Sequence, residues 1–508
     1  MKCLSSLLLV PLFFCQLALA EESRLNVLLL TVDDMSCDSV GVYGCPIPET
    51  SPCMDALAAE SLRFDHAHVQ VGNCYPSRNV MWSGLYSHNN GVEGFYKIDN
   101  TGKYKVVADY FKEAGYLTAI RGKVTHTTPY HPYPAWDMTL AYPQPKPSVL
   151  KDIASYGNSA REAIEAAKAA GKPFLLNVNI SDPHKPFYRG PDDPHQPSRV
   201  FTAEEMVLPG FLFEDESVRE ELALYYSSVR RADDCVGAVL EVIKETGHWE
   251  DTIIFFLSDH GMPLPFAKTS LFHHSTRTPL MVRWPGVTTE GKVDGEHMVS
   301  AVDFTPTLLE MCGIDSGDAA FDGRSFASLL RGETQQGRDF VFKVYNENSG
   351  GNRHPMRGIE TKEYLYLFNP WSDGERRFRT ATQGTVTYKT LVARAKEEPE
   401  LMVRLRAHDY RVYEELYQVS KDPDCLTNLM DHPEAAPRVQ ELQAYLVQVM
   451  EASGDHCLEP FQKREDPAFL AAYIAEKESE AAERRAAKRK NKQQEKKGQA
   501  KAKSKKEA

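Results

Sequence analysis

Leu25-Asn26-Val27-Leu28-Leu29-Leu30-Thr31-Val32 is a nearly unbroken apolar run, too short for a buried helix, and it stops abruptly at Asp33-Asp34. Apolar side chains on both faces suit a strand covered on both sides, as in the middle of a parallel sheet. Similar runs recur at 117–120, 174–180, 253–257 and 280–284, separated by helical patterns at 106–114 and 216–246. Strands alternating with helices predict an α/β sandwich with a large, mostly parallel central sheet. Beyond about residue 340 the alternation weakens, and short strands with a closing helix near 436–450 predict a smaller α+β domain. The expected division is a leader at 1–20, a large domain at 21–338, a smaller one at 339–465, and a charged tail at 466–508 that is disordered or helical.

Two polar clusters directly follow two of the predicted strands: Asp33-Asp34, and Ser258-Asp259-His260-Gly261. In open α/β sheets ligands gather beyond the carboxyl ends of strands, so these distant clusters are expected at one edge. Asp33, Asp34 and Asp259 supply hard oxygen donors that suit Ca²⁺ or Mg²⁺ better than softer metals. Paired aspartates also occur as ordinary turn or capping residues.

The N-terminus is Met1-Lys2, an apolar stretch, and Ala18-Leu19-Ala20, the three parts of a secretory leader. The protein is therefore expected to be exported, whether periplasmic, secreted or lumenal. No later stretch reaches the roughly 20 apolar residues of a membrane span. With 508 residues and 42% hydrophobic content the chain can bury a large core, and its net charge of −12 gives no support to nucleic-acid binding. The region from about Glu476 onward is rich in Lys, Arg, Glu and Ala, which reads as a solubilising end or as an attachment to an anionic polysaccharide or lipid surface. Past the leader there are eight cysteines, and Cys425 and Cys457 are the first candidates for a disulfide, although spacing does not fix connectivity.

The densest signal is Cys74-Tyr75-Pro76-Ser77-Arg78, followed by Ser83-Gly84. It resembles the signature of the type I formylglycine-dependent sulfatases, Cys-x-Pro-Ser-Arg and then a small hydroxyl residue with Gly. The resemblance implies an alkaline-phosphatase-like sandwich, one Ca²⁺ ion, and Cys74 oxidised to 3-oxoalanine (Cα-formylglycine). Its partners would be a formylglycine-generating or anaerobic sulfatase-maturing enzyme and a sulfated sugar or glycan. The hydrated aldehyde carries two hydroxyls on one carbon; one attacks sulfur, and the other later expels sulfate from the sulfated enzyme by reforming the aldehyde. Converting Cys74 leaves an odd number of cysteines, hence at least one free thiol.

The same resemblance implies metal ligation by Asp33, Asp34, hydrated residue Cys74, Asp259 and His260, the last standing where many members carry Asn. Arg78 would hydrogen-bond the deprotonated hydroxyl, and a helix starting at Pro76-Ser77 would turn its amides toward the anion. Gly122-Lys123-Val124-Thr125-His126 resembles the Gly-Lys-x-x-His segment. Lys123 would hold a sulfate oxygen, and His126 would take a hydroxyl proton during sulfate elimination. Asp182-Pro183-His184-Lys185-Pro186-Phe187 resembles Pro-His-x-Pro-Phe, with His184 donating a proton to the leaving group. Lys268 would complete a ring of donors around the sulfate.

Within the family, Ser258 to Thr269, Asp303-Phe304-Thr305-Pro306-Thr307, Pro355-Met356-Arg357 and Glu414-Glu415-Leu416-Tyr417 resemble the heparan N-sulfatase (sulfamidase) branch, which cleaves the sulfamate of N-sulfoglucosamine. Lys268 and His260 depart from that branch, which has Arg and Asn there, and the Gly-Lys-x-x-His spacing is nearer that of iduronate sulfatase. O-sulfated polysaccharide, a phosphoester, or glycan binding without turnover are the alternatives. His273, His274, Arg277, His354 and Arg357 are the residues expected to reach the sugar.

Overall fold

The computed structural model describes residues 24–98, 103–128, 135–141 and 147–506; the expected leader lies outside them. An eight-stranded sheet runs in the spatial order Met138–Leu140, Leu117–Arg121, Phe174–Pro183, Asn26–Asp33, Thr252–Ser258, Leu280–Arg283, Leu62–Phe64, Val293–Asp294. Its first five strands are mutually parallel, whereas Leu280–Arg283 runs antiparallel to both of its neighbours. Asn26–Asp33 sits in the middle, with Val27 paired to Leu175 on one side and to Ile253 on the other. Leu28, Leu30 and Val32 join one apolar core with the helices Ile153–Ala170 and Glu216–Glu245. Val27 and Leu29 join a second core with the helices Val107–Glu113 and Phe304–Met311. All five side chains are fully buried, each contributing roughly 1.5–3 kcal/mol, which is why this stretch has no polar face.

A second sheet is wholly antiparallel and follows chain order: Phe340–Glu347, Arg353–Thr361, Leu365–Phe368, Glu414–Tyr417. The helices Ala436–Ser453 and Pro467–Lys506 pack on its strand Arg353–Thr361. The long terminal helix buries Leu470, Ile474 and Ala481, so its first half is docked. No described helix is long and apolar enough to cross a membrane.

Polar contacts join the two sheets. The Val344 amide donates to the Gln70 carbonyl at 2.8 Å. Buried Glu360 receives Lys343 Nζ and, at 2.6 Å, His273 Nδ1, with His68 Nε2 at 3.5 Å. His274 lies between Asp38, 2.9 Å from Nδ1, and Asp424, 3.1 Å from Nε2, and Arg277 reaches Asp38 at 2.7 Å. His273, His274 and Arg277, expected to reach a sugar, are thus held by carboxylates remote in the chain.

Burial alone would depress His274, but hydrogen bonds and charge from Asp38 and Asp424 outweigh it and raise its pKa to about 9. Both carboxylates are held below their usual range by the imidazolium, against burial. A raised histidine contributes stability that is complete below its unfolded pKa of about 6.5 and disappears as pH climbs through 9. The carboxylates contribute above about pH 4 and lose that contribution in acid. Thermal melts between pH 6.5 and 9.5 should therefore show a falling midpoint, and His274→Gln should flatten that slope; an unchanged slope would remove the linkage.

The expected Cys425–Cys457 disulfide is not formed, and all eight described cysteines are free. Cys425 neighbours the His273 backbone and Glu360, whereas Cys457 neighbours Arg357, Asp455 and Tyr473. The two thiols serve different contacts of the second sheet.

Candidate active site

The carboxyl edge of the main sheet collects the predicted residues. Asp33 closes the central strand, and Asp34 follows in a left-handed conformation at φ 66°. Asp259 and His260 follow the neighbouring strand Thr252–Ser258, and Asp259 Oδ1 accepts the Asp34 amide at 3.0 Å. Lys123, also left-handed at φ 50°, follows Leu117–Arg121 through Gly122. Left-handed backbone at non-glycine residues persists only where the surroundings impose it. At Asp34 and Lys123, strand ends on both flanks do so.

Cys74 begins the helix Cys74–Ser83 and is 4% exposed. Its thiol lies with Asp259 and His260 in a group whose donor atoms all fall within 4.8 Å, and Asp33, Asp34 and His184 form an adjoining group. Arg78, one turn along that helix and fully buried, donates from Nε to Asp259 Oδ2 at 3.0 Å, from Nη2 to Asp33 Oδ1 at 3.2 Å, and from Nη1 to Asn179. Ser77 Oγ donates to the Asp259 carbonyl at 2.8 Å, fastening the helix to the second acidic cluster. Lys123 Nζ meets Asp33 Oδ2 at 2.6 Å, and Lys268 Nζ meets both Asp34 oxygens at 2.7 and 2.6 Å.

His260 is fully buried, and its Nδ1 donates to the Gly261 carbonyl at 3.0 Å. Its Nε2 finds no hydrogen-bond partner, and a neutral ring would offer that atom as a lone pair to a cation. That nitrogen faces Asp34 Oδ1 at 3.1 Å and Asp259 Oδ1 at 3.7 Å. Acceptors converging at such distances fit a shared cation, and three carboxylates make the set a hard one. Asp33, Asp34, Asp259 and His260 therefore fit a divalent ion.

The electrostatics follow from burial and neighbours. Burial raises Asp33 and Asp34, but Lys123, His184 and Arg78 overcome it at Asp33, holding it well below the usual range, while Lys268, His184 and His260 bring Asp34 to about 2. At Asp259 burial prevails over Arg78 and His260, and its pKa is raised. Burial, then Lys123 and Arg78, keep His126 well below its ordinary value, so it is a neutral imidazole near neutral pH. Its ring packs tilted against Tyr75 at 4.8 Å and meets Phe95 edge-on at 5.9 Å, and its carbonyl accepts from Asn79 Nδ2 at 2.7 Å.

A cavity of about 560 Å³ opens above these groups, lined among others by Asp33, Lys123, His126, Lys151, Asn179 and His184. The His184 side chain is 40% exposed, with Nδ1 donating to the Lys185 carbonyl at 2.7 Å and Nε2 lying 3.9 Å from Asp34 Oδ2. Two lining residues lacked any sequence cue. Asn179 spans Arg78 and the Arg121 and Gly122 carbonyls, the latter two at 3.2 Å. Lys151 reaches Asp182 at 2.5 Å and the His184 carbonyl at 2.7 Å. Asp182 is also gripped by buried Arg231 at 2.7 Å, which explains its place two residues before His184.

His354 and Arg357, expected over the sugar, lie elsewhere. His354 is buried against Trp371 and Phe378, and burial lowers its pKa to about 3. Arg357 is fully buried and grips Asp455 with two hydrogen bonds of 2.5 and 2.8 Å. Both belong to the packing of the second sheet.

Gly261 permits the close approach behind the cluster. A Cβ there would lie 1.9 Å from the His274 carbonyl oxygen and 2.5 Å from that of Ala267. Backbone on both sides cannot yield as a side chain does, so Gly261→Ala should cost about 3 kcal/mol or more. A thermal melt together with metal analysis of the purified variant should show both a lowered midpoint and depleted ion; unaltered values in both would show that the loop yields.

The sulfatase family matches residues 25–314, and the C-terminal region of N-sulphoglucosamine sulphohydrolases matches 259–374. The chain is 28% identical to human N-sulphoglucosamine sulphohydrolase, covering 85% of this chain and 90% of that protein. It is 25% identical to an ulvan-active sulfatase of Formosa agariphila, covering 86% and 82%. Among solved structures, one in complex with its substrate D-glucosamine-2-N,6-O-disulfate superposes with a TM-score of 0.63 at 17% identity, covering 85% of this chain and 99% of that one. At that identity the likeness is one of fold.

Proposed function

Because this chain belongs to the sulfatase family and is a sulfuric ester or sulfamate hydrolase, we propose that its substrate is the N-sulfated glucosamine of heparan- or heparin-type glycans. The observation that carries this reading is the match of its second region to the sulphoglucosamine branch, together with the near full-length similarity to the human enzyme of that activity. In this reading residues 21–338 hold the chemistry and 339–465 support it, in an exported protein matured by a formylglycine-generating or anaerobic sulfatase-maturing enzyme.

The Cys74 thiol marks where the hydrated formylglycine oxygens would stand, held by Arg78 and the first turn of Cys74–Ser83. Asp33, Asp34, Asp259 and His260 would hold one Ca²⁺, which when bound lowers the cost of deprotonating a hydroxyl and neutralises sulfate charge. Lys123 and Lys268 bring two ammonium groups to the same carboxylates, where they would bind sulfate oxygens. His184, partly exposed in the cavity, would hold the proton delivered to the departing nitrogen or oxygen. His126, kept neutral, would accept the hydroxyl proton when sulfate is expelled. His273, His274, Arg277, His354 and Arg357 have no part in this proposal; Lys151 and Asn179 replace them at the cavity wall.

The test is sulfate release by the mature protein from N-sulfoglucosamine and from O-sulfated sugars, with mass spectrometry of the peptide bearing residue 74. The expected result is thiol-to-aldehyde conversion with release from the N-sulfated sugar. Release only from O-sulfated sugars would move the substrate to another sulfated polysaccharide and overturn the N-sulfate assignment.

A further inference from the structure

The terminal helix Pro467–Lys506 changes character along its length. Its first half is anchored: Leu470, Ile474 and Ala481 are buried, Tyr473 hydroxyl lies 3.0 Å from His456 Nδ1, and Glu478 pairs with Arg376. From Arg484 onward the sequence carries twelve Lys or Arg against two Glu, in a chain whose net charge is −12. The anchored half therefore aims a strongly basic segment from an otherwise acidic body.

It aims that segment at a groove of about 290 Å³ bounded by Phe95, Tyr96, Glu347, Arg485, Lys488 and Arg489. Glu347 is the acidic residue in the lining, and it is already paired with Arg484, whose guanidinium also covers the Tyr96 ring at 4.6 Å. Arg485 donates to the Gly351 carbonyl. Lys488 and Arg489 are exposed and have no acidic partner among the described residues. The groove is one ring from the chemistry, since Phe95 lines it and also packs at 5.7 Å on Tyr75, the residue after Cys74, and at 5.9 Å on His126.

We propose that this groove, with Lys488 and Arg489 at its rim, is a subsite for the continuing chain of a sulfated polysaccharide whose terminal sugar occupies the cavity above His126. The proposal rests on the sulfated-glycan reading of that cavity. A polyanion approaching an acidic body is repelled, and a local run of cations beside the entrance reverses the field where it matters. A lipid surface is the weaker partner because no large apolar residue follows Ile474, so the basic half presents no face to insert between acyl chains.

The test is binding of a fluorescent heparin hexasaccharide to the full-length protein and to the Lys488→Gln/Arg489→Gln variant over a range of salt. Both residues are exposed and away from the core, so the variant should melt as the parent does. The expected result is about tenfold weaker binding, with the slope of log affinity against log salt reduced by about two, one for each lost ion contact. Alongside, the ratio of kcat/KM on the hexasaccharide to that on the monosaccharide should fall by a similar factor. Unchanged affinity and ratio would overturn the subsite even if both substrates are hydrolysed. Equal weakening toward anionic vesicles or single-stranded RNA would overturn it too, since the helix would then be an unselective polycation. Weakened hexasaccharide binding with no hydrolysis of any sulfated sugar would instead sink the activity reading and leave the groove a glycan site.

Discussion

Cys74→Ser should fold as the parent does and yet form at most one desulfated sugar per molecule, the sulfate staying on the enzyme, with a multiple-turnover rate lower by roughly 10⁴ to 10⁶-fold. Serine is close in shape to the encoded cysteine, the site is buried, and the helix that begins there keeps its fastening through Ser77 and Arg78. What disappears is the second hydroxyl on the reacting carbon. One oxygen can attack sulfur, but no neighbouring hydroxyl then remains to expel sulfate, and the enzyme stalls as its own ester. Mass spectrometry after exposure to substrate should find the sulfate adduct on the peptide containing residue 74. Sustained turnover by the serine variant would remove the geminal-diol mechanism, whatever the substrate.

The second large effect concerns stability. Arg357→Ala should destabilise the protein by roughly 3–5 kcal/mol, because Asp455 would be left as a buried carboxylate without its bidentate partner. Burial raises the Asp455 pKa, but Arg357 overcomes this and holds it at about 2; His88, 3.7 Å away, is a poor substitute because burial lowers its own pKa. The first transition of a thermal melt should fall by several degrees, and Arg357→Met combined with Asp455→Leu should recover much of that loss by replacing the charge pair with apolar packing. A raised KM with an unaltered melt would instead return Arg357 to the substrate.

These two residues mark how far the chain could be read before folding. The central strand was legible because burial on both faces demands an uninterrupted apolar run, and no other element of that length allows it. The acidic clusters were legible because each directly follows such a strand, and parallel strands end at the same edge. Cys74, Arg78, Lys123, His126 and His184 sit in segments whose spacing carries the resemblance, and the fold brings them to that edge. His273, His274, Arg277 and Arg357 were placed over the sugar by their nearness to those segments. Their actual partners, Glu360, Asp38, Asp424 and Asp455, lie 87 to 239 residues away, and no local pattern encodes such a pairing. Asn179 stayed hidden for a related reason: a polar residue within a buried strand acquires meaning only when Arg78 arrives beside it. The antiparallel direction of Leu280–Arg283 was equally silent, since an apolar run reads the same either way.

The polar bonds between the two sheets also bear on what a cut chain would do. Gln70 to Val344, His273 to Glu360 and His274 to Asp424 tie segments on either side of the connecting stretch before Phe340. A protease nick in that stretch would sever the covalent link and leave these ties in place, so the two pieces should travel as one particle on a sizing column and separate only in denaturant.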